Sequence, residues 1–281
     1  MKTALLIVVY PGTETFLSDL VRSLENQTTK DFDVLLVNDG MDEVTLMHEF
    51  KNLQTKVLSS VGSIAGNREV GINYAIEQGY DALVFCDADD FYEKNRVEHS
   101  LEMLQKYDIY ANDLTLVDES GDVLLEKYLS KAMREEAKKL SLGIIREKNM
   151  LGLSNTAIRL KDLAPIRIPK EIKVVDWYLF TKLLSLVKTA YFDNKTTTYY
   201  RQHSQNIVGL KKFTVEQYRA QLEVKLLHYR NLSDDAIYKN LYEKYLPLRQ
   251  LTDEQIESII AKSDKELPLW WEEIDYSINN I

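Results

Sequence analysis

Apolar runs alternating with segments of helical period constrain the first hundred residues most. Ala4-Leu5-Leu6-Ile7-Val8-Val9 is apolar throughout, and residues 14–27 then take a helical period with Phe16, Leu17, Leu20, Val21 and Leu24 on one face. The unit repeats. Phe32 to Val37 reads as a strand, Asn38-Asp39-Gly40 as its turn, and residues 42–53 as a helix with Val44, Met47 and Phe50 inward. Lys56 to Ser60 reads as a third strand, residues 67–78 as a helix stopped by Gly79, and Ala82 to Cys86 as a further buried strand. Strands apolar on both faces and separated by helices predict a mostly parallel sheet covered on both sides. In such sheets ligands bind where loops leave the carboxyl ends of the strands. The loops at Tyr10, at Asn38-Asp39-Gly40 and after Cys86 are therefore the ones to inspect.

The remaining sequence fits the same α/β class. A helix carrying Val97, Leu101 and Leu104 precedes an extended stretch from Asp108 to Val117 and a hairpin turn at residues 118–122. Residues 131–139 read as a solvated helix, 174–187 as an apolar helix that includes Asp176, and 189–201 as a strand. From Phe213 onward the chain reads as helices rich in Tyr and Trp, aromatics that suit packing. There Leu267-Pro268-Leu269-Trp270-Trp271 is the most apolar exposed candidate for an acceptor platform, a dimer surface or a membrane-edge contact. The first apolar run is too short for a membrane span and lacks a cleavage pattern, so a strand is expected rather than a signal peptide.

Charge and cysteine usage narrow the function. The 281 residues carry 35 Lys plus Arg against 44 Asp plus Glu, a formal charge of −9. That balance argues against a protein that wraps nucleic acid and leaves room for an anionic small-molecule substrate. The single Cys86 has no partner within the chain, which makes a cytoplasmic setting the expectation.

Asp87-Ala88-Asp89-Asp90 follows a buried strand directly. Three carboxylates within four residues resist ionisation together unless a cation compensates. Hard oxygen ligands suit Mg²⁺ or Mn²⁺, which share their remaining coordination with water and substrate phosphates. An exposed acidic turn before the next helix is the plainer alternative.

Val37-Asn38-Asp39-Gly40, Gly62-Ser63-Ile64-Ala65-Gly66-Asn67-Arg68 with Gly71, Asp87-Ala88-Asp89-Asp90, Val175-Asp176-Trp177 and Tyr200-Arg201-Gln202-His203 with Asn206 occur in this order. The ordered set resembles family-2 glycosyltransferases with the GT-A fold, over about residues 1–210. The resemblance implies a Rossmann-like, mostly parallel mixed sheet flanked by helices. Residues 1–110 would form the nucleotide-sugar half and 111–210 the acceptor half, with 211–281 a helical C-terminal extension. It implies metal-dependent, inverting transfer of a sugar from a nucleoside-diphosphate sugar, a UDP-sugar foremost, to a hydroxyl of a glycan, lipid-linked or other acceptor. By the same resemblance Asp39, Tyr10, Glu14 and Arg68 serve the nucleotide, and Asp87 holds ribose and metal. Asp89 and His203 hold Mn²⁺ or Mg²⁺, Asp90 supports those carboxylates, and Asp176 is the base. Gly152-Leu153-Ser154-Asn155 resembles the small-residue loop that approaches donor sugar or acceptor.

On residue chemistry alone Asp176 serves equally as a helix cap, Asp39 as a turn residue, Arg68 as a solvated helix residue and His203 as a solvated loop residue. Three departures from the family pattern stand out: Val175 where an acidic residue is usual, Val8 where a Pro is usual, and Glu69 where an Asn is usual. No Trp follows an Arg, so the Gln-x-x-Arg-Trp signature of processive members is absent and a single transfer per encounter is expected. A haloacid-dehalogenase-type phosphoryl-transfer enzyme, a nucleotidyltransferase and a sugar-binding module without catalysis are the competing readings. The first wants Thr or Val soon after the second Asp. The second wants a basic Gly-rich loop after the first strand, where Tyr10-Pro11-Gly12-Thr13-Glu14 has no cation.

Overall fold

A computed structural model describes residues 1–186, 188–202, 213–262 and 267–274. The first part runs β1 (Thr3–Val9), α1 (Leu17–Glu25), β2 (Asp33–Asn38), α2 (Glu43–Glu49), β3 (Thr55–Ser59), α3 (Ile64–Glu77) and β4 (Ala82–Asp87). Next come β5 (Phe91–Tyr92), α4 (Arg96–Leu104), β6 (Ile109–Val117), β7 (Val123–Leu125), α5 (Tyr128–Met133), β8 (Ala137–Leu140) and β9 (Thr156–Arg159). The rest comprises α6 (Val175–Ser185), β10 (Ala190–Arg201), α7 (Val215–Asn231), α8 (Ala236–Tyr245), a 3₁₀ turn (Leu246–Gln250) and α9 (Asp253–Ala261).

One mixed sheet orders these strands β3-β2-β1-β4-β9-β6-β10-β5, with β7 against β6 and β8 against β10. β3, β2, β1 and β4 are mutually parallel, and antiparallel β9 joins them to the parallel pair β6 and β10. β1 lies inside the sheet and is buried along its whole length, as a strand apolar on both faces must be. Its period of two splits the core: Leu5, Ile7 and Val9 pack with α1, α2 and α4, and Ala4, Leu6 and Val8 pack on the other face with α3 and α6. Gly71 in α3 permits that second contact, since a Cβ there would lie 2.3 Å from Leu6 Cδ1.

Several expectations need correction. α2 ends at Glu49, with Leu46 and Phe50 buried while Val44 and Met47 are 77% and 49% exposed. At about 100° per residue, Met47 and Val44 point away from the side that Leu46 docks. The expected helix over 131–139 is a short helix and an edge strand: Arg134, at φ 58°, ends α5, and β8 pairs antiparallel with β10. Lysines are tolerated on such an edge, so the charge of this segment did not distinguish helix from strand. Trp270 and Trp271 are 8% and 4% exposed, so the apolar tail segment is largely buried rather than an exposed dimer or membrane-edge surface. The tail aromatics do pack: Tyr218, Tyr229, Tyr238 and Tyr245 join the core on the α3 and α6 side. The Trp177 ring stacks on buried His228 with centroids 4.0 Å apart. No described helix is long and apolar enough to cross a membrane.

Candidate active site

The carboxyl ends of β1 and β4 lie side by side, because Ile7 pairs with Cys86 and Val8 with Asp87. A cavity of about 320 Å³ opens there. Tyr10, Arg68, Asp87, Asp89, the 152–154 loop, Asp176, Tyr200 and the two tail tryptophans all contribute to its wall. Five of the expected site residues, Tyr10, Arg68, Asp87, Asp89 and Asp176, are thus brought to one place from elements far apart in sequence. Glu14 and Asp39 lie outside that wall: the Glu14 carboxylate accepts the Gly12 N–H at 2.6 Å, and Asp39 accepts the Ser60 hydroxyl at 2.5 Å. His203 lies outside the described residues.

Among the loop carboxylates, Asp87 meets a cation in the cavity wall, the Arg68 guanidinium. Burial pushes its pKa up to about 6 even though the Arg68 guanidinium, 3.2 Å away, lowers it, and Asp89 adds to the rise. Asp90 is 1% exposed and lies behind the cavity wall, bonded to Ser154 of that wall. It accepts the Ser154 hydroxyl and the Arg201 N–H at 2.8 Å, and burial with two neighbouring carboxylates holds its pKa well above the ordinary value. It therefore ties the acidic loop to the 152–155 loop and to β10. The Tyr10 hydroxyl, raised to about 12 by burial and then by Asp89 and Asp87, remains a neutral donor at the rim.

Asp176 does not cap its helix. α6 begins at Val175 with Val174 in the cap position, and no side chain caps it. The carboxylate accepts the Trp177 N–H at 2.8 Å and the Asn149 amide at 3.1 Å. Burial raises its pKa to about 7, opposed by the Trp177 bond and reinforced by Asp87. Asn149 also donates its backbone N–H to the Trp270 carbonyl at 2.8 Å, so one buried residue positions both Asp176 and the tail segment.

Two buried arginines that the sequence reading did not single out as site residues hold the loops. Arg96 donates to the Phe85 and Ser154 carbonyls at 2.9 Å and to Asn112 at 3.0 Å, fastening the end of β4 to the 152–155 loop. Arg201 donates to the Asp89 carbonyl and to the Asp19 carboxylate, both at 2.9 Å, with its guanidinium over the Phe16 and Phe91 rings. Arg201 belongs to the Tyr200-Arg201-Gln202-His203 motif, but its partners, like the Ser154 carbonyl that Arg96 reaches, are distant in sequence, so no local pattern assigns either arginine its role. Gly152 has a comparable tertiary reason: a Cβ would stand 2.8 Å from Trp270 Cη2.

No group of three or more His, Cys, Asp or Glu side chains arranged to hold a metal occurs among the described residues. Asp87 and Asp89 supply two hard carboxylates at the cavity wall. Such a pair fits a cation that completes its coordination with water and diphosphate oxygens, and it does not fit a closed structural site.

Comparisons with known proteins agree with this geometry. The profile described as "Glycosyl transferase family 2" matches residues 5–168, more than half of the chain. The dTDP-rhamnosyl transferase RfbG of Shigella flexneri is 22% identical over 257 residues, covering 83% of this chain and 87% of its own. The uncharacterized glycosyltransferase YwdF of Bacillus subtilis is 26% identical over 121 residues, 42% of this chain and 43% of its own. Residues 1–349 of S. aureus TarS, solved in complex with UDP-GlcNAc, superpose with a TM-score of 0.63 at 19% identity, covering 95% of this chain and 82% of that one. A mannosyltransferase from Pyrobaculum calidifontis, in complex with GDP-Man and Mn²⁺, superposes with a TM-score of 0.54 at 11% identity, covering 83% and 64%. The sheet order, the cavity at the strand ends and the family profile converge: the chain belongs to glycosyl transferase family 2 and is a glycosyltransferase with the GT-A fold.

Proposed function

We propose that this enzyme moves a sugar, with inversion and once per encounter, from a nucleoside-diphosphate sugar to an acceptor hydroxyl in glycan or polysaccharide synthesis. The observation that carries the reading is the meeting of Asp87, Asp89 and Arg68 with Asp176 in one cavity. A UDP-sugar is the proposed donor, supported by the fold shared with the UDP-GlcNAc complex of TarS; RfbG, named for a dTDP sugar, makes dTDP the nearest alternative. Tyr10, Asp39, Glu14 and Arg68 are assigned to the nucleotide. Asp87, Asp89 and His203 are assigned to Mn²⁺ or Mg²⁺, with Asp87 also serving the ribose. When bound, that cation supplies charge neutralisation at the diphosphate leaving group.

The chain's own residues do the rest. Asp176 takes the acceptor hydroxyl proton as the oxygen attacks the anomeric carbon from the face opposite the diphosphate. The new glycosidic bond forms, the bond to the diphosphate oxygen breaks, and the nucleotide leaves with the electron pair. The Asn149 amide and the Trp177 N–H fix the orientation of the carboxylate. Residues 1–210 are the proposed catalytic unit and 211–281 a helical extension. A cytoplasmic setting is proposed on the lone buried thiol of Cys86, with no nucleic-acid partner.

A thermal-shift panel of UDP, dTDP, GDP and CDP, each with and without Mn²⁺, tests the donor assignment, because a ligand that binds only the folded state raises Tm. UDP with Mn²⁺ is expected to give the largest rise. No shift with any nucleotide would remove the donor site, and a larger dTDP shift would transfer the assignment to dTDP.

A further inference from the structure

A second concavity, of about 680 Å³, adjoins the candidate active site and shares Lys173 and Trp271 with its wall. Ala220, Val224 and Leu227 of α7 and Tyr242 of α8 give it a largely apolar lining. Its charges are unbalanced. Arg249 is matched by Glu223, with Nε 2.7 Å from the carboxylate, whereas the side chains of Lys173 and Arg230 have no hydrogen-bond or ion-pair partner among the described residues. An anion-seeking groove in a chain of charge −9 stands out from the average field of the protein.

Trp271 lines both cavities. It is 4% exposed, and its backbone takes φ +68°, a conformation costly for a bulky residue and held only where the surroundings enforce it. Its ring lies parallel to Trp177 at 6.3 Å, and its indole N–H is buried without a partner among the described residues. Lys173 stands three residues before Asp176 and also lines both cavities.

Resting on the transfer reading above, we propose that this groove is the acceptor site and that it takes an anionic amphiphile. The acceptor's apolar chain lies along α7 and α8, its phosphate meets Lys173 and Arg230, and its hydroxyl reaches Asp176 past the edge of Trp271. A free, fully hydroxylated sugar would leave the apolar wall unmatched, and a neutral lipid would leave both cations unmatched. An amphiphilic phosphate satisfies the two together.

Isothermal titration of the full chain with octyl phosphate below its micelle concentration, inorganic phosphate and octyl glucoside separates the contributions. Octyl phosphate is expected to bind at least about tenfold more tightly than either comparison ligand, since both features act at once. Arg230→Glu and Val224→Glu are each expected to weaken it about tenfold or more, and Arg230→Gln less, with folding checked by circular dichroism melts. Arg230 is exposed, so its substitution spares the core. Equal binding of octyl phosphate and inorganic phosphate, equal binding of octyl phosphate and octyl glucoside, or binding that survives both Glu substitutions would overturn the proposal. So would dimerisation by light scattering that Val224→Glu abolishes, since the groove would then belong to a second copy of the chain. The donor assignment fails separately, through the nucleotide panel on the unaltered protein.

Discussion

Replacing Asp176 by Asn separates a group kept for chemistry from one kept for stability. The carboxyl is raised from 3.8 to about 7 in the folded protein. At about 1.4 kcal/mol per pKa unit, keeping it ionised costs the fold on the order of 4 kcal/mol at alkaline pH. The sign follows from proton uptake: between the two pKa values the folded state holds a proton that the unfolded state has lost, so stability falls as pH rises from about 4 to 7 and is flat above. Asn removes this dependence, and also the charge that Asp87 faces. It keeps an oxygen for the Trp177 N–H but turns its own N–H₂ toward the Asn149 amide, losing one hydrogen bond worth about 1 kcal/mol. In EDTA the variant should therefore match the unaltered protein near pH 4.5 and exceed it by roughly 3 kcal/mol at pH 8.5. Urea unfolding at the two pH values reads the difference, and transfer activity should fall by about 10²–10⁴-fold. A variant less stable at pH 8.5, or one of undiminished activity, would refute the argument: the first would make the carboxylate a structural ligand, and the second would remove it from the reaction.

Asp89→Asn should abolish the Mn²⁺-dependent part of the nucleotide thermal shift while leaving the fold intact, because its side chain faces the cavity; a full shift would exclude it as a ligand. Arg96→Met leaves the Phe85 and Ser154 carbonyls and the Asn112 side chain without their guanidinium partner, a loss of about 3 kcal/mol or more by urea unfolding. Gly71→Ala places a methyl 2.3 Å from Leu6 Cδ1. About 1–3 kcal/mol of overpacking then exceeds the gain of about 1 kcal/mol in helix propensity, so Tm should drop by a few degrees.

The sheet was legible because β1, β2 and β4 are apolar along nearly their whole length and each lies between helices of clear period. The charged 131–139 segment was not, because an edge strand and a solvated helix can share a composition. Val44 and Met47 misled for a related reason: periodicity shows which residues share a face, and only packing shows which face docks. Of the candidate site, Asp87, Asp89 and Asp176 were visible as short motifs read in order. Asn149 and Arg96 were not, since Asn149 meets Asp176 across 27 residues of sequence and Arg96 meets the Ser154 carbonyl across 58, contacts that no local pattern encodes.

These distant contacts also explain how three adjacent carboxylates stay in place. Asp90 is buried, Asp87 is half-matched by Arg68, and Asp89 lies in the cavity wall, so a separate element receives each charge. Arg201 donates to the Asp89 carbonyl and pairs with the Asp19 carboxylate, which fixes the backbone of the acidic loop. Asn149 plays the same part for Asp176, supplying a neutral amide where a cation would have depressed the pKa. Loops held by backbone donors and neutral amides keep the Asp87 and Asp89 carboxylates at the cavity wall, and such a pair is what the proposed cation-bridged, anionic donor would call on.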